Sequence, residues 1–269
     1  MNTDRYVINS VLRAAQLLEC FSFDKPAYRN AELSKKLGLN KSTITRLLCS
    51  LQKAGFLEKD AKTGEYGLTD RVFRIGTVYI SQVDFHKEAM PVLSDLASSC
   101  EETVHLAVLH EFEVFYLDKV DSPQSIGMRS RVGASAPAYC TALGKVLLAH
   151  LNDVDLESLL RSIELKPFTD NTITDPARLM VHLRDIRHRG YAIDNAEHQA
   201  EVKCVAAPVH SAEGKTVASI SISGPIFRMT PERIENDLIA AVTETAHKIS
   251  SRLGHLDRER IISPSEPPH

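Results

Sequence analysis

No apolar run in these 269 residues approaches the ~18 that a membrane span requires, and the opening MNTDRYVINS is too polar for a secretory leader. A cytoplasmic location is expected, with no membrane partner. The five cysteines, Cys20, Cys49, Cys100, Cys140 and Cys204, are odd in number and widely spaced, with no C-x-x-C pair. Reduced thiols fit that usage better than a disulfide framework. The 11 histidines are scattered, and neither His182 with His188 nor His198 with Cys204 has a recognised zinc spacing, so no metal is expected. There is no G-x-G-x-x-G and no G-x-S-x-G. The stretch from Gly133 to Gly144-Lys145 is too long for a phosphate loop, and Val146 stands where a magnesium-holding Ser or Thr would be. No cofactor and no catalytic residue is therefore expected. The alternative is a small-molecule-processing enzyme with an appended DNA-binding module, using Cys140 near a helix start or Cys204 near His198 as a thiol nucleophile. Nothing in the sequence orders these groups into a triad.

The chain does have the composition of a folded protein, 43% hydrophobic and 25% charged, and its net charge of -3 hides an asymmetry. Residues 1–69 carry 11 Lys/Arg against 7 Asp/Glu, whereas the remainder carries 21 against 28. The basic end contains RNAELSKKLGLNKSTITRLLCSLQKAG, which reads as two short helices joined by a tight turn. In the second helix Ile44, Leu47, Leu48 and Leu51 recur at i, i+3, i+4 and i+7 and form one buried stripe. Ser42, Arg46, Cys49 and Lys53 point away from it, with Thr43 and Thr45 on the flanks. Gly38 can end the first helix in a left-handed conformation, and Asn40 can cap the second. A polar helix face beside a local turn is the layout of a DNA-reading helix-turn-helix. Ser42, Thr43, Thr45 and Arg46 are expected to face bases, with Lys41 and Lys53 near phosphates.

Upstream, Ile8, Val11, Leu12, Ala15 and Leu18 form another helical stripe, expected to bury the helix-turn-helix against a third helix. Downstream, FLEKDAKTGEYGLT reads as two short strands around Lys62-Thr63-Gly64, the wing of a winged helix. Residues 1–69 would then be the DNA-binding domain. Val72, Ile75, Val78 or Tyr79, and Val83 share a helical register, giving a linker helix over 70–84. The rest, 85–254, reads as α+β. A helix over 87–100 starts or kinks at Pro91, followed by strands over 103–109, 114–120 and 126–132 in a mostly antiparallel sheet. Helices are expected over 141–151 and over 176–189, the latter capped by Asp175 and closed by Gly190. A hairpin over 202–209 and 216–223, a last helix over 231–253 and a disordered tail over 255–269 complete the reading. Ser221 and Ser223, two apart in a strand, present their hydroxyls on one face while Ile220 and Ile222 face the other way.

In this order, ELSKKLGLNKSTITRLLCSLQKAGFLEKD, YGLTDRVFRIG, EETVHLAVL, PAYCTALGKVLLA, RGYAIDNAEH, VKCVAAPV and VASISISGP closely resemble the isocitrate lyase regulator (IclR) family of bacterial transcription factors. The resemblance implies a winged helix-turn-helix, a linker helix and a GAF-like effector-binding domain that assembles into a homodimer or homotetramer on a double-stranded DNA operator. It places the effector pocket on Met128, Ala142, Leu143, Asp194, Cys204, Ser221 and Ser223. Unpaired N–H groups at a helix start near Ala142 and Leu143 suit a carboxylate, so a small organic acid is the expected effector. The segment RSRVGASAPAYCTALGK most resembles members that sense sugar-derived or keto acids. Ala142 and Leu143 stand where some members carry smaller residues, so the Leu143 side chain would reshape that pocket.

Overall fold

The computed structural model describes residues 7–82 and 85–255 and divides into two compact units, 1–83 and 84–269. The expected disordered tail, apart from His255, lies outside the described residues.

In the first unit α1 (Asn9–Leu18), α2 (Asn30–Leu37) and α3 (Lys41–Lys53) share one core with a three-stranded antiparallel sheet. Its strands are β1 (Ala27–Tyr28), β2 (Leu57–Lys59) and β3 (Tyr66–Leu68), in the order β1-β3-β2. Gly38 ends α2 at φ 65°, and the Asn40 side chain accepts the Thr43 N–H at 2.8 Å, so the turn is fixed as its sequence indicates. Ile44, Leu47, Leu48 and Leu51 are all buried. β1 is an element that two residues of pattern could not reveal.

The stripe expected to bury α1 does not do so. Ile8, Val11 and Leu12 are 64%, 61% and 50% exposed, whereas Leu17 is 0% exposed and Ala14 and Leu18 pack partly beside it. α1 has apolar residues on more than one face, and periodicity alone cannot decide which face turns inward. After β3, α4 (Asp70–Gln82) begins, with Ile75 exposed.

In the second unit a six-stranded antiparallel sheet runs in the order β6-β5-β4-β9-β8-β7. The strands are β4 (Thr103–His110), β5 (Glu113–Val120), β6 (Ser135–Pro137), β7 (Ala192–Asn195), β8 (Val202–His210) and β9 (Thr216–Pro225). α5 (Phe85–Cys100) and α10 (Ile239–Arg252) pack together and against this sheet, and Pro91 lies inside α5 rather than starting it. α6 (Ala142–Ala149) and α8 (Pro176–Arg189) pack together, with α6 laid on strands β7, β8, β9 and β4. α7 (Asp153–Ser162) had no sequence counterpart above. The final helix starts as α9 (Pro231–Arg233), passes through a π segment at Ile234–Leu238 and continues as α10.

The strand expected over 126–132 is not formed. The carbonyls that would join a ladder are taken by side chains instead: Arg228 donates to Ile126 O at 2.8 Å, and Lys119 Nζ to Met128 O at 3.3 Å and Ser130 O at 2.7 Å. The segment is therefore a strap pinned by long cations, and the sixth strand forms later, where Ser135–Pro137 pairs with β5.

Candidate functional site

Period-two alternation sorts the sheet residues onto two faces. Val104, Leu106, Val205, Ile220 and Ile222 share one, all fully buried. The other carries His105, Asp194, Cys204, Ser221 and Ser223, because the register pairs Asp194 with Cys204, Cys204 with Ser223, and His105 with Ser221. Ala107 and Ala206 belong to this second face and join the core cluster that includes Ala142, Leu143 and Val146 of α6. Four of the expected pocket residues thus lie on adjacent strands beneath one helix.

The start of α6 is built with care. Thr141 Oγ1 accepts the Gly144 N–H at 3.2 Å and donates to Pro137 O at 3.1 Å. A Cβ at Gly144 would lie 2.2 Å from the Ala138 carbonyl oxygen, so only glycine allows α6 to approach the preceding 3-10 turn (Ala138–Cys140) this closely. The N–H groups of Ala142 and Leu143 have no intrahelical acceptor by position, and the helix dipole favours an anion there. Ser219 ties α6 to the sheet by donating to Leu143 O at 3.1 Å.

Below, Ser221 Oγ and Ser223 Oγ lie 3.3 Å apart, and His105 Nδ1 is 3.4 Å from the first and 3.3 Å from the second. His105 Nε2 is 2.5 Å from Ser130 Oγ on the strap. The His105 ring packs against Tyr116 with centroids 5.2 Å apart. Ser221 is fully buried, and Asp194, Ser223 and His105 are each 3% exposed; Cys204, Tyr116 and Ser130 are half-buried around them, as is Met128 on the strap. Lys119, opposite His105 in register, contacts Asp121 at 2.8 Å in addition to the strap carbonyls.

Burial controls the charge state of this cluster. It drives His105 down to about 3, with the Lys119 ammonium acting in the same direction, so the ring is neutral. It pushes the Asp194 carboxyl up to about 7, against the opposing effects of the Glu197 N–H, donated at 2.7 Å, and of Lys145. Burial and then the Asp194 carboxylate raise the Cys204 thiol far above its usual range. Cys140 is fully buried and pushed up to about 12, mainly by burial.

His105, Tyr116, Lys119, Ser130, Lys145 and Glu197 were absent from the sequence expectation. Lys145 is 0% exposed; its Nζ donates to Ile193 O at 2.6 Å and to the Glu197 carboxylate, on either side of Asp194. A lysine inside ALGKVLLA, where no polar face exists, was the available signal. For His105 the signal was a lone ring between Val104 and Leu106.

On α3, Lys41, Ser42, Thr45, Arg46 and Lys53 are exposed and Thr43 is half-buried. Ser42 donates to Asn40 Oδ1 at 2.8 Å and retains acceptor capacity. The Thr45 hydroxyl donates to Lys41 O at 2.8 Å and accepts from Asn30 Nδ2 at 2.8 Å, which gives it a part in joining α2 to α3. Among the described residues, no helix is long and apolar enough to cross a membrane, and no group of three His, Cys, Asp or Glu is placed to hold a metal ion.

The comparisons with known proteins agree across both units. The family profile described as "IclR helix-turn-helix domain" matches residues 10–61, and "Bacterial transcriptional regulator IclR C-terminal" matches residues 77–251. The HTH-type transcriptional regulator KdgR of Escherichia coli is 32% identical, covering 93% of this chain and 94% of that protein. The HTH-type transcriptional regulator XynR of the same species is 32% identical over 86% of this chain and 91% of its own length. The crystal structure of Thermotoga maritima IclR superposes with a TM-score of 0.72 at 34% identity, covering 92% of this chain and 99% of that one. With a winged helix-turn-helix in one unit and a GAF-like α+β effector domain in the other, the chain belongs to the IclR family of bacterial transcriptional regulators.

Proposed function

We propose that this chain is a cytoplasmic regulator whose binding to an operator responds to a small hydroxylated or keto acid held between the start of α6 and the polar sheet face. The observation that carries this reading is the convergence of Asp194, Cys204, Ser221 and Ser223 on adjacent strands beneath Ala142 and Leu143. The ligand carboxylate meets the Ala142 and Leu143 N–H groups, its hydroxyl groups, or those of a hydrated carbonyl, meet Asp194, Ser221 and Ser223, and Met128 closes the mouth as an apolar wall. Ser42, Thr43 and Arg46 face bases, Thr45 supports them from the same face, and Lys41 and Lys53 contact phosphates. Two heads are needed to read paired half-sites, and the exposed apolar residues Ile8, Val11, Leu12 and Ile75 give a second copy a surface to cover. A homodimer is the minimal unit and a homotetramer a pair of them. Effector binding then biases how the paired heads are placed, acting through the α4 segment.

A thiol enzyme fits less well. A Cys140 thiol pushed up to about 12 in a fully buried position offers almost no thiolate at neutral pH. The test is fluorescence anisotropy of the full chain on the DNA upstream of its own gene, with and without a panel of small carboxylates and sugar acids. Saturable binding that shifts with at least one acid, without turnover of that acid, is expected. Binding that no acid in the panel alters, or consumption of the acid, would overturn the proposal.

A further inference from the structure

His105 sits where three hydroxyls meet, with Ser130 at Nε2 and both Ser221 and Ser223 at Nδ1. A neutral imidazole carries one N–H and one lone pair. The buried hydroxyl protons decide which nitrogen holds the lone pair. With Nδ1 as acceptor, one serine donates to the ring and the other to its neighbour 3.3 Å away, so both protons are used. With Nδ1–H the last serine proton would have only the weakly accepting Cys204 sulfur to turn to, at a cost in a buried place.

We propose that His105 is a specificity-determining residue of the effector site: it holds its proton on Nε2 toward Ser130, and thereby fixes Ser221 and Ser223 as acceptors for a ligand hydroxyl. A hydroxyl supplies the proton this pair lacks, whereas a carboxylate or a hydrocarbon chain does not. The carboxylate is thus directed to the α6 start and the hydroxylated end to the serines. Because Ser130 belongs to the strap that Lys119 pins through the Met128 and Ser130 carbonyls, the relay also links the pocket floor to its mouth. The proposal rests on the effector site described under Proposed function and adds the residue that selects within it.

Two measurements test it on the full-length protein. Long-range proton–nitrogen correlation spectra of histidine-labelled protein without ligand, from pH 5 to 8, should show His105 as an untitrating Nε2–H tautomer. Ser130→Ala should shift its Nε2 resonance. Titration near the ordinary histidine value of about 6.5, or averaging over both tautomers, would overturn the relay. Calorimetry would then compare D-gluconate with hexanoate, which has the same carbon count and no hydroxyls. His105→Phe should weaken gluconate by about tenfold or more and change hexanoate by no more than about twofold. His105→Asn, which restores an acceptor near the Nδ1 position, should recover most of the loss. Equal losses for both acids, or unchanged gluconate affinity, would reduce His105 to a packing residue. A wild-type protein that binds neither acid would remove the ligand class, and the selectivity with it, while the nitrogen spectra would still show whether the relay exists.

Discussion

Replacing Lys145 by methionine keeps the apolar stem and deletes the charge at the centre of the second unit. Its Nζ bonds Ile193 O at 2.6 Å and the Glu197 carboxylate, and lies 3.4 Å from His182 Nε2. Glu197 Oε2 is already buried without a partner, and the other carboxylate oxygen would keep only the Asn195 N–H at 3.4 Å. An uncompensated buried carboxylate costs about 3–5 kcal/mol, which for a domain of this size is a fall in Tm on the order of 6–20 °C. Lys145→Met with Glu197→Gln removes both charges and should cost less than the sum of the single changes, leaving a coupling of at least ~2 kcal/mol. Urea unfolding followed by circular dichroism supplies all four corners of that cycle. Losses that simply add would refute the ion pair as the element holding α6 to the turn around Asp194.

Three further outcomes follow from individual residues. Arg46→Ala should cost about 1–3 kcal/mol on the cognate operator and less on random DNA, read by anisotropy; equal losses would make Arg46 a phosphate contact. Leu12→Glu, on the exposed stripe of α1, should shift sedimentation toward monomer at micromolar concentration, whereas an unchanged profile would place the subunit contact elsewhere. Asp194, pushed up to about 7 when folded against about 3.9 unfolded, binds a proton only in the folded state between those values. Its contribution therefore turns unfavourable as pH rises through that window, and Asp194→Asn should gain on wild type from pH 4 to 8, on the order of 4 kcal/mol. A stability difference flat across that range would contradict the buried carboxyl.

The local elements were legible because their determinants are local. Asn40 and Gly38 mark the turn before α3, and Asp175, Pro176 and Gly190 bound α8, with the Asp175 side chain accepting two N–H groups at 2.7 and 2.9 Å. What pattern could not supply was partner choice between elements. The apolar residues of the 126–132 segment suggested a strand, but its carbonyls are claimed by Arg228 and Lys119 from other elements. The α1 stripe was right as a helix, but of its residues only Leu18 packs on the core while Ile8, Val11 and Leu12 stay exposed. The proposed pocket residues came from family resemblance, and the strand register explains why single-sequence chemistry would not group them. Asp194, Cys204 and Ser221 belong to three different strands, and only the strand register makes them neighbours. His105, in contact with Ser221 and Ser223, and Lys145, bonded to Ile193 O, looked like isolated polar residues in apolar runs.

In the proposed mechanism the polar sheet face beneath α6 holds the effector and α3 independently reads the operator. Ser221→Ala, Ser223→Ala and Asp194→Ala, measured by calorimetry for effector and by anisotropy for operator on the same preparations, separate the two directly. Each single change should weaken effector binding by about tenfold or more, a hydrogen bond to a charged or buried group being worth roughly 1.5–3 kcal/mol, while operator affinity without effector stays near wild type. Effector affinity unchanged in all three variants would place the pocket elsewhere, and operator binding that collapses with effector binding would show that these residues serve the fold alone.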